Sequence, residues 1–238
     1  MSTLIIIPAR MESKRFPGKP LAMAGGRPLI HWTYERAKQI NADNVIVATP
    51  DREIARYCDE RGIIWRPTAV EHPNGASRCA EVLYHLRPGK EFDTVIDWQC
   101  DEPLVSVDNM NLLMKQDCSK KICTLVAPFG SDDVIYNRNI AKAVVLEGGR
   151  CQWFSRSYMN GSFHHIGIYS FSPLVLKVAG ALQPTPLSHA EQLEQLTWIE
   201  KGFDILAVTI DQAPLSINTP EDFEVFRSIV EGEPANAD

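Results

Sequence analysis

The chain has 238 residues, of which 45% are hydrophobic and 23% charged, and its formal net charge is −6. This acidic balance argues against general nucleic-acid binding, and no apolar run approaches the ~20 residues of a membrane-spanning helix. The length fits one large domain, which we expect over residues 1–232, with a disordered tail over 233–238. Six cysteines without a CxxC pair, in a chain without an export signal, favour free thiols in a reducing cytoplasm.

Strand and helix patterns alternate along the chain, which predicts an α/β fold with a mostly parallel central sheet. We expect strands at Leu4–Ile7, Val45–Ala48, Ile63–Trp65, Thr94–Asp97, Ile122–Val126, Lys142–Leu146, His165–Tyr169 and Ile205–Thr209. We expect helices at Pro28–Ile40, Asp51–Arg61, Ala76–Leu86, Val107–Gln116, His189–Lys201 and Pro220–Val230.

The segment from about 130 to 172 has a different pattern. It contains strands without long helices, and Gly148-Gly149 has the composition of a hairpin turn. We therefore expect a small antiparallel extension of the sheet, placed to reach over a site or toward a second subunit. The last helix has a clear start, with Thr219 as its N-cap and Asp222 three residues later.

The N-terminal segment MSTLIIIPARMESKRFPGK predicts an anion site. The strand Leu4–Ile7 runs into a loop that carries Arg10, Lys14, Arg15 and Lys19. In open α/β sheets, ligands bind at the carboxyl ends of the strands. The loop lacks the glycine spacing of a P-loop or of a dinucleotide fold, so side-chain charges must bind the anion, and a polyphosphate fits them.

Two further segments place polar residues near this loop. DWQCDEPL, over residues 97–104, puts Asp101 at the end of a strand, where a carboxylate beside a triphosphate can hold Mg²⁺. SINTPED, over residues 216–222, leads into the last helix. Because Thr219 caps that helix, Asn218 is free to face the site.

Together these segments resemble the CMP-sugar synthetases, most closely the 3-deoxy-manno-octulosonate cytidylyltransferases. That family opens with IPARxxSxRxPGKPL, and this chain reads IPARMESKRFPGKPL. The family continues with QGDEPL, HIGIY, LEQL and a DTPED-like segment. Here QCDEPL, HIGIY, LEQL and NTPED follow in the same order. The resemblance spans the chain from Ile7 to Asp222.

The resemblance implies a nucleotidyltransferase-type, Rossmann-like fold, a homodimer, and transfer of CMP from CTP to the anomeric hydroxyl of an acidic sugar. It implies catalytic roles for Arg10, Lys19 and Asp101. The nucleotide would be bound by Pro8, Ala9, Arg10, Ser13, Arg15, Lys19 and Arg78. The acceptor would be bound by Gln99, His165, Glu194 and Gln195, and Mg²⁺ by Asp101 and Asn218.

Only one residue of the histidine pair is expected to face the site, because adjacent residues on a strand point to opposite faces. His164 and His165 therefore cannot both face one site. We expect His165 to face the substrate, since it falls on the HIGIY motif.

Four departures from the family pattern bear on the site. Cys100 replaces a glycine, and we expect it to crowd or reshape the turn beside Asp101. Asn218 replaces an aspartate, which removes one negative charge from the expected metal site. Ala76 and Ser77 stand where the family has a hydroxyl and a carboxylate. The sequence Phe-Ser-Arg ends at residue 156, and only eight residues separate it from His165. The family usually has a longer segment there, so we expect the acceptor pocket to be either more open or smaller.

Three hypotheses remain open at this point. The first is a CTP- and Mg²⁺-dependent cytidylyltransferase acting on 3-deoxy-octulosonate or a related acidic sugar. The second keeps the CTP chemistry but assigns a different, smaller acidic acceptor such as a phosphonate. The third is a catalytically weakened paralogue that serves as a binding or regulatory subunit.

Overall fold

The computed structural model describes residues 2–86 and 91–232. Its strands are β1 (Thr3–Pro8), β2 (Met23–Ala24), β3 (Arg27–Pro28), β4 (Asn44–Thr49), β5 (Trp65–Pro67), β6 (Thr94–Trp98), β7 (Ile122–Ala127), β8 (Lys142–Val145), β9 (Cys151–Ser155), β10 (Ser162–Phe171) and β11 (Ile205–Thr209). Its α-helices are α1 (Leu29–Lys38), α2 (Arg52–Arg61), α3 (Gly75–His85), α4 (Val107–Met114), α5 (Asp132–Tyr136), α6 (Pro173–Gly180), α7 (Pro186–Glu191), α8 (Glu194–Glu200) and α9 (Pro220–Gly232). The predicted tail over 233–238 lies outside the described residues.

The central sheet has the strand order β11-β7-β10-β6-β1-β4-β5. Along this path, β1 pairs in parallel with β4 and β6, β4 with β5, and β7 with β11. The predicted α/β fold with a mostly parallel sheet is confirmed. One feature was not predicted: β10 runs antiparallel between β6 and β7 and so belongs to the central sheet.

An antiparallel extension is present, but it consists of β8, β9 and the first residues of β10, whereas the rest of β10 lies in the central sheet. β8 pairs with β9 and β10 in antiparallel register, and the turn between β8 and β9 contains Gly148 and Gly149 at φ of 85° and 84°. Such positive φ angles favour glycine, which explains the Gly-Gly pair. β10 carries an irregularity between Ile166 and Tyr169, where its register against β7 shifts.

Buried side chains form a core on each face of the sheet. In β1, Ile5 and Ile7 point to one face and Leu4 and Ile6 to the other, and all four are fully buried. The apolar run Leu4–Ile7 is therefore covered on both sides, as expected for a parallel strand between helical layers. No helix in the described ranges is long and apolar enough to cross a membrane.

The predicted helix His189–Lys201 is wrong. The chain forms two short helices there, α7 and α8, separated at Gln192, which has a left-handed φ of 54°. The apolar spacing on both sides of the break is helical, so periodicity alone could not reveal it. The N-cap at Thr219 is confirmed. The Asp222 amide donates to the Thr219 hydroxyl at 3.3 Å, and the Asp222 carboxylate accepts from the Thr219 amide at 2.8 Å.

Candidate active site

A polar cavity of about 160 Å³ lies where β1 and β6 end and β10 begins. Parallel strands that share a direction bring their carboxyl ends to one edge, and the antiparallel β10 brings its first half to the same edge. The structure thus collects residues that are far apart in the sequence. The predicted residues that line the cavity are Arg15, Gln99, Asp101, His165, Glu194, Gln195 and Asn218.

Lys19 joins three separate segments at the rim of this cavity. Its ammonium lies 2.6 Å from a carboxylate oxygen of Asp101 and donates to the carbonyl of Ile217 at 3.0 Å. The amide of Ile217 in turn donates to the carbonyl of Asp101 at 2.9 Å. The N-terminal loop, the end of β6 and the approach to α9 are therefore held together around one cation. Both side chains keep some exposure, 13% for Lys19 and 26% for Asp101, so a ligand can reach them.

The N-terminal loop presents its other cations to solvent. Arg10, Lys14 and Arg15 are exposed, and one guanidinium nitrogen of Arg15 donates to the Asn139 side chain at 3.2 Å. The Ser13 hydroxyl accepts from the amide of Phe16, which shapes the turn. These positions leave positive charge on the open side of the site.

Pro8 and Ala9 contribute backbone rather than side-chain chemistry. Pro8 ends β1, and both residues are buried. The Ala9 amide donates to the Ala48 carbonyl at 2.9 Å. The Met11 amide donates to the Asp51 carboxylate at 2.8 Å. These bonds fix the exit of the loop from the sheet.

Arg78 lies close to the loop, but its guanidinium is already engaged. It donates to the Thr68 hydroxyl and to the carbonyls of Ala69 and Val70, at 2.9 and 3.4 Å for the two carbonyls. The side chain is buried, and burial together with nearby Arg10 lowers the pKa of Arg78. In this arrangement Arg78 holds the segment that follows β5, and its predicted contact with the nucleotide stays a prediction.

A buried lysine that no sequence pattern indicated holds one part of the cavity wall in place. Lys142 has no exposed surface, and its ammonium donates to the carbonyls of Asn137, Ile140 and Arg156, at 2.9 and 3.3 Å for the last two. Burial, Arg156 and Arg138 lower the pKa of Lys142 to about 8. A buried cation with three carbonyl acceptors fixes the loop over residues 137–140.

That loop positions a second arginine that the sequence did not suggest. A guanidinium nitrogen of Arg156 donates to the Asn139 carbonyl at 2.8 Å, and the Arg156 amide donates to Glu191 at 2.7 Å. Asn139 also accepts from Arg15. Arg15 and Arg156 therefore meet on Asn139 and both line the cavity, which gives this wall two positive charges. In the sequence this arginine stands only at the end of the Phe-Ser-Arg segment, from which the distance to His165 was counted.

Another part of the cavity wall is rich in hydrogen-bond acceptors. The Gln99 amide donates to Asp97 at 2.8 Å, and a Glu194 oxygen accepts from the Ala76 amide at the start of α3 at 3.3 Å. Burial raises the pKa of Glu194 to about 7. Gln195 donates to the Tyr169 hydroxyl, while its own carbonyl oxygen is buried without a partner among the described residues. This wall suits a ligand that donates several hydrogen bonds.

The two histidines have different surroundings, but both line this cavity, so the prediction that only one of them can face the site is wrong. His165 bonds to the Thr124 hydroxyl at 2.9 Å and packs against the rings of Phe154 and Tyr169. His164 stacks on Phe129 and lies between this cavity and a second, larger one of about 620 Å³. Burial lowers the pKa of His165 to about 3 and that of His164 to about 4. Both rings are therefore neutral near pH 7.

A family model described as Cytidylyltransferase matches residues 4–205. The chain belongs to the cytidylyltransferase family. The 3-deoxy-manno-octulosonate cytidylyltransferase of Parabacteroides distasonis is 36% identical, with 94% of this chain and 96% of the relative covered. The enzyme of that name from Vibrio cholerae is 33% identical over 97% of this chain and 98% of the relative.

Solved structures agree with this membership. A CMP:2-keto-3-deoxy-manno-octonic acid synthetase complexed with CTP superposes with a TM-score of 0.86 at 29% identity, covering 98% of this chain and all of the other. A cytidylyltransferase from Leptospira borgpetersenii superposes with a TM-score of 0.63 at 18% identity, covering 99% and 89%. The second likeness concerns the fold alone.

The donor atoms of this cytidylyltransferase fit the predicted Mg²⁺. Asp101 supplies a carboxylate and Asn218 an amide carbonyl on the same cavity, and Mg²⁺ prefers such oxygen ligands together with phosphate and water. The carboxylate of Asp101 already attracts a cation, the Lys19 ammonium. Within residues 2–86 and 91–232, no group of three or more His, Cys, Asp or Glu side chains could hold a metal ion by itself.

We expected Cys100 to crowd or reshape the turn beside Asp101, but it does not crowd the cavity. Its φ is not in the left-handed region, its side chain is buried in the core, and it is absent from the cavity wall. The carbonyl of Cys100 accepts from the Thr33 hydroxyl at 2.8 Å, and this bond ties the turn to α1. The short segment over residues 157–161 likewise contributes nothing to the cavity wall.

Acid should destabilise the protein through His165. Its pKa of about 3 in the folded chain lies below the ordinary 6.5, so the unfolded chain binds a proton that the folded chain does not between these values. The stability due to this group is complete above pH 6.5 and is lost as the pH falls toward 3. We expect His165→Gln to reduce the dependence of unfolding free energy on pH by about 1.4 kcal/mol per pH unit between pH 6 and 4.

The measurement is urea unfolding at several pH values. His189→Gln is the control, because it makes the same change at an exposed histidine. If both variants lose stability in acid as steeply as the parent protein, the buried neutral state of His165 is wrong.

Proposed function

We propose that this protein transfers the cytidylyl group of CTP to the anomeric hydroxyl of 3-deoxy-manno-octulosonate and releases pyrophosphate, with Mg²⁺ as cofactor. The observation that carries the proposal is the cavity itself. Its cationic wall and Asp101 meet an acceptor-rich wall at the carboxyl edge of the sheet. The names of the relatives and the CTP complex of the structural neighbour support the choice of substrates.

The cationic loop would bind the triphosphate. Lys19 lies at the junction with Asp101, and Arg10 and Arg15 are exposed on the same loop. Guanidinium groups form paired hydrogen bonds with phosphate oxygens, and an ammonium adds a mobile positive charge. These cations would neutralise charge that builds up on the leaving pyrophosphate, which is the main demand of this kind of transfer.

The acceptor sugar would lie between the two walls. Arg156 offers its guanidinium to the sugar carboxylate from the Asn139 side. Gln99, Glu194 and Gln195 would accept hydrogen bonds from sugar hydroxyls, and the carbonyl oxygen of Gln195 is buried without a partner among the described residues. His165 is neutral, so it would orient the substrate by hydrogen bonding and not by charge.

In the reaction, the anomeric oxygen forms a bond to the α-phosphorus of CTP. The bond from that phosphorus to the bridging oxygen breaks, its electron pair leaves with pyrophosphate, and the hydroxyl proton passes to solvent. Asp101 and Asn218 would hold Mg²⁺, which when bound supplies positive charge to the phosphate oxygens. Lys19 would orient Asp101 and contact phosphate from the other side.

The first test is an assay of pyrophosphate release with CTP, Mg²⁺ and a panel of acidic acceptors. We expect release with 3-deoxy-manno-octulosonate. Release only with a smaller acid, such as a phosphonate, would assign the acceptor of the second hypothesis. Binding of CTP without release from any acceptor would favour a regulatory paralogue and contradict the proposal.

Two neighbouring residues supply a matched control for the triphosphate contact. Arg15→Ala should lower kcat/KM for CTP by roughly a hundredfold, since it removes a cation from the cavity wall. Lys14→Ala removes an equal charge from an exposed position off that wall and should leave kcat/KM within about twofold. Equal losses in both variants would mean that only the net charge of the loop matters.

Asn218→Asp should strengthen the metal site. The change adds a negative charge to the cavity that holds Asp101, so the Mg²⁺ concentration for half-maximal activity should fall by roughly three- to tenfold. Asn41→Asp is the control, because Asn41 is exposed and lies just before β4, at the end of the strand away from the cavity. An unchanged Mg²⁺ requirement in Asn218→Asp would remove residue 218 from the metal site.

We also propose that the enzyme is a cytoplasmic homodimer that associates through the extension over residues 130–172. Tyr136 and Tyr158 lie in this segment and are 68% and 38% exposed, and their rings contact each other with centroids 5.5 Å apart. Adjacent exposed aromatic rings are typical of interfaces. Light scattering should report twice the monomer mass. Tyr136→Ser should shift the mass toward the monomer, whereas the exposed control Tyr84→Ser should not.

A further inference from the structure

Two cysteines lie unusually close together at the edge of the sheet opposite the cavity. Cys118 precedes β7 and Cys123 lies near its start, and their Sγ atoms are 2.6 Å apart. This distance is only about 0.6 Å longer than a disulfide bond. Both side chains are buried, and both are free thiols. The pair is therefore nearly in bonding position without any large movement of the chain.

The surroundings of Cys118 give a small oxidant access to the pair. Cys118 is 6% exposed and lies under a short turn whose residues Asp117, Ser119 and Lys120 are exposed. Asp117 accepts from the Ser119 amide at 2.9 Å and so folds the turn back on itself. Cys123 is fully buried on the strand. A reagent that arrives from solvent meets Cys118 first.

The electrostatic setting also distinguishes Cys118. The contact with the Cys123 thiol lowers the pKa of Cys118, and Lys121 acts in the same direction. By contrast, burial raises the pKa of Cys58 and of Cys100 to about 12. Because the thiolate is the reactive form of cysteine, Cys118 is the better nucleophile of this group.

We propose that Cys118 and Cys123 form a reversible intramolecular disulfide when the protein meets a peroxide. The Cys118 sulfur attacks one peroxide oxygen, the O–O bond breaks, and a sulfenic acid and one water result. The Cys123 sulfur then attacks the Cys118 sulfur, the S–O bond breaks, and a second water leaves with the Cys123 proton. Two thiols are oxidised and one hydrogen peroxide is reduced to two waters. A dithiol reductant reverses the change.

This inference does not depend on the proposed function, and mass spectrometry of the full-length protein tests it. The reduced protein is treated with hydrogen peroxide, quenched with catalase and alkylated in denaturant. The number of alkylated cysteines should fall from the six of the sequence to four. Trypsin cleaves after Lys120 and Lys121, inside the ring, so peptides Gln116–Lys120 and Ile122–Arg138 should be recovered joined together.

Two variants, checked for native circular dichroism, sharpen the result. Cys123→Ser should leave Cys118 as a sulfenic acid that dimedone traps, because the resolving thiol is gone. Cys58→Ser, which removes a buried cysteine elsewhere, should still give the joined peptides. Six alkylated cysteines after peroxide, a link to a different cysteine, or Cys118 oxidised to the sulfinic acid without a link in the unmutated protein would each overturn the proposal.

Discussion

The ammonium of Lys19 holds the site together. It bonds to the Asp101 carboxylate and to the Ile217 carbonyl, and thereby closes the N-terminal loop onto the end of β6 and the approach to α9. These partners are 82 and 198 residues away along the chain. A cation at the meeting point of three segments offsets the charge of Asp101, and it fixes the loop that places Arg15 on the cavity wall. This contact explains why an acidic protein carries a basic loop at this position.

A second cation fixes another part of the cavity wall. The Lys142 ammonium is fully buried and is satisfied by three carbonyl oxygens, so the loop over residues 137–140 has a fixed position. That loop supplies Asn139, on which Arg15 and Arg156 converge. Asn139 thus connects the N-terminal loop to the residue that follows β9 at the cavity wall.

The departures from the family pattern separate into two kinds. Cys100 is harmless, because the backbone there does not need a positive φ and the side chain packs into the core below the turn. Asn218 lies on the wall of the same cavity as Asp101, so at the proposed metal site the missing charge would lower the affinity for a cation. The short segment over residues 157–161 contributes no residue to the cavity wall.

The α/β alternation, the cationic loop and the position of Asp101 at a strand end could be predicted from the sequence, because strand periodicity and strand-to-loop order are local properties. The sequence also contains the motifs of the cytidylyltransferase family. The place of β10 inside the central sheet, the break at Gln192 in the predicted helix 189–201, and the roles of Lys142 and Arg156 in shaping the cavity could not be predicted in this way. Strand pairing, burial and the approach of distant segments depend on contacts across the whole chain. No local pattern reports them.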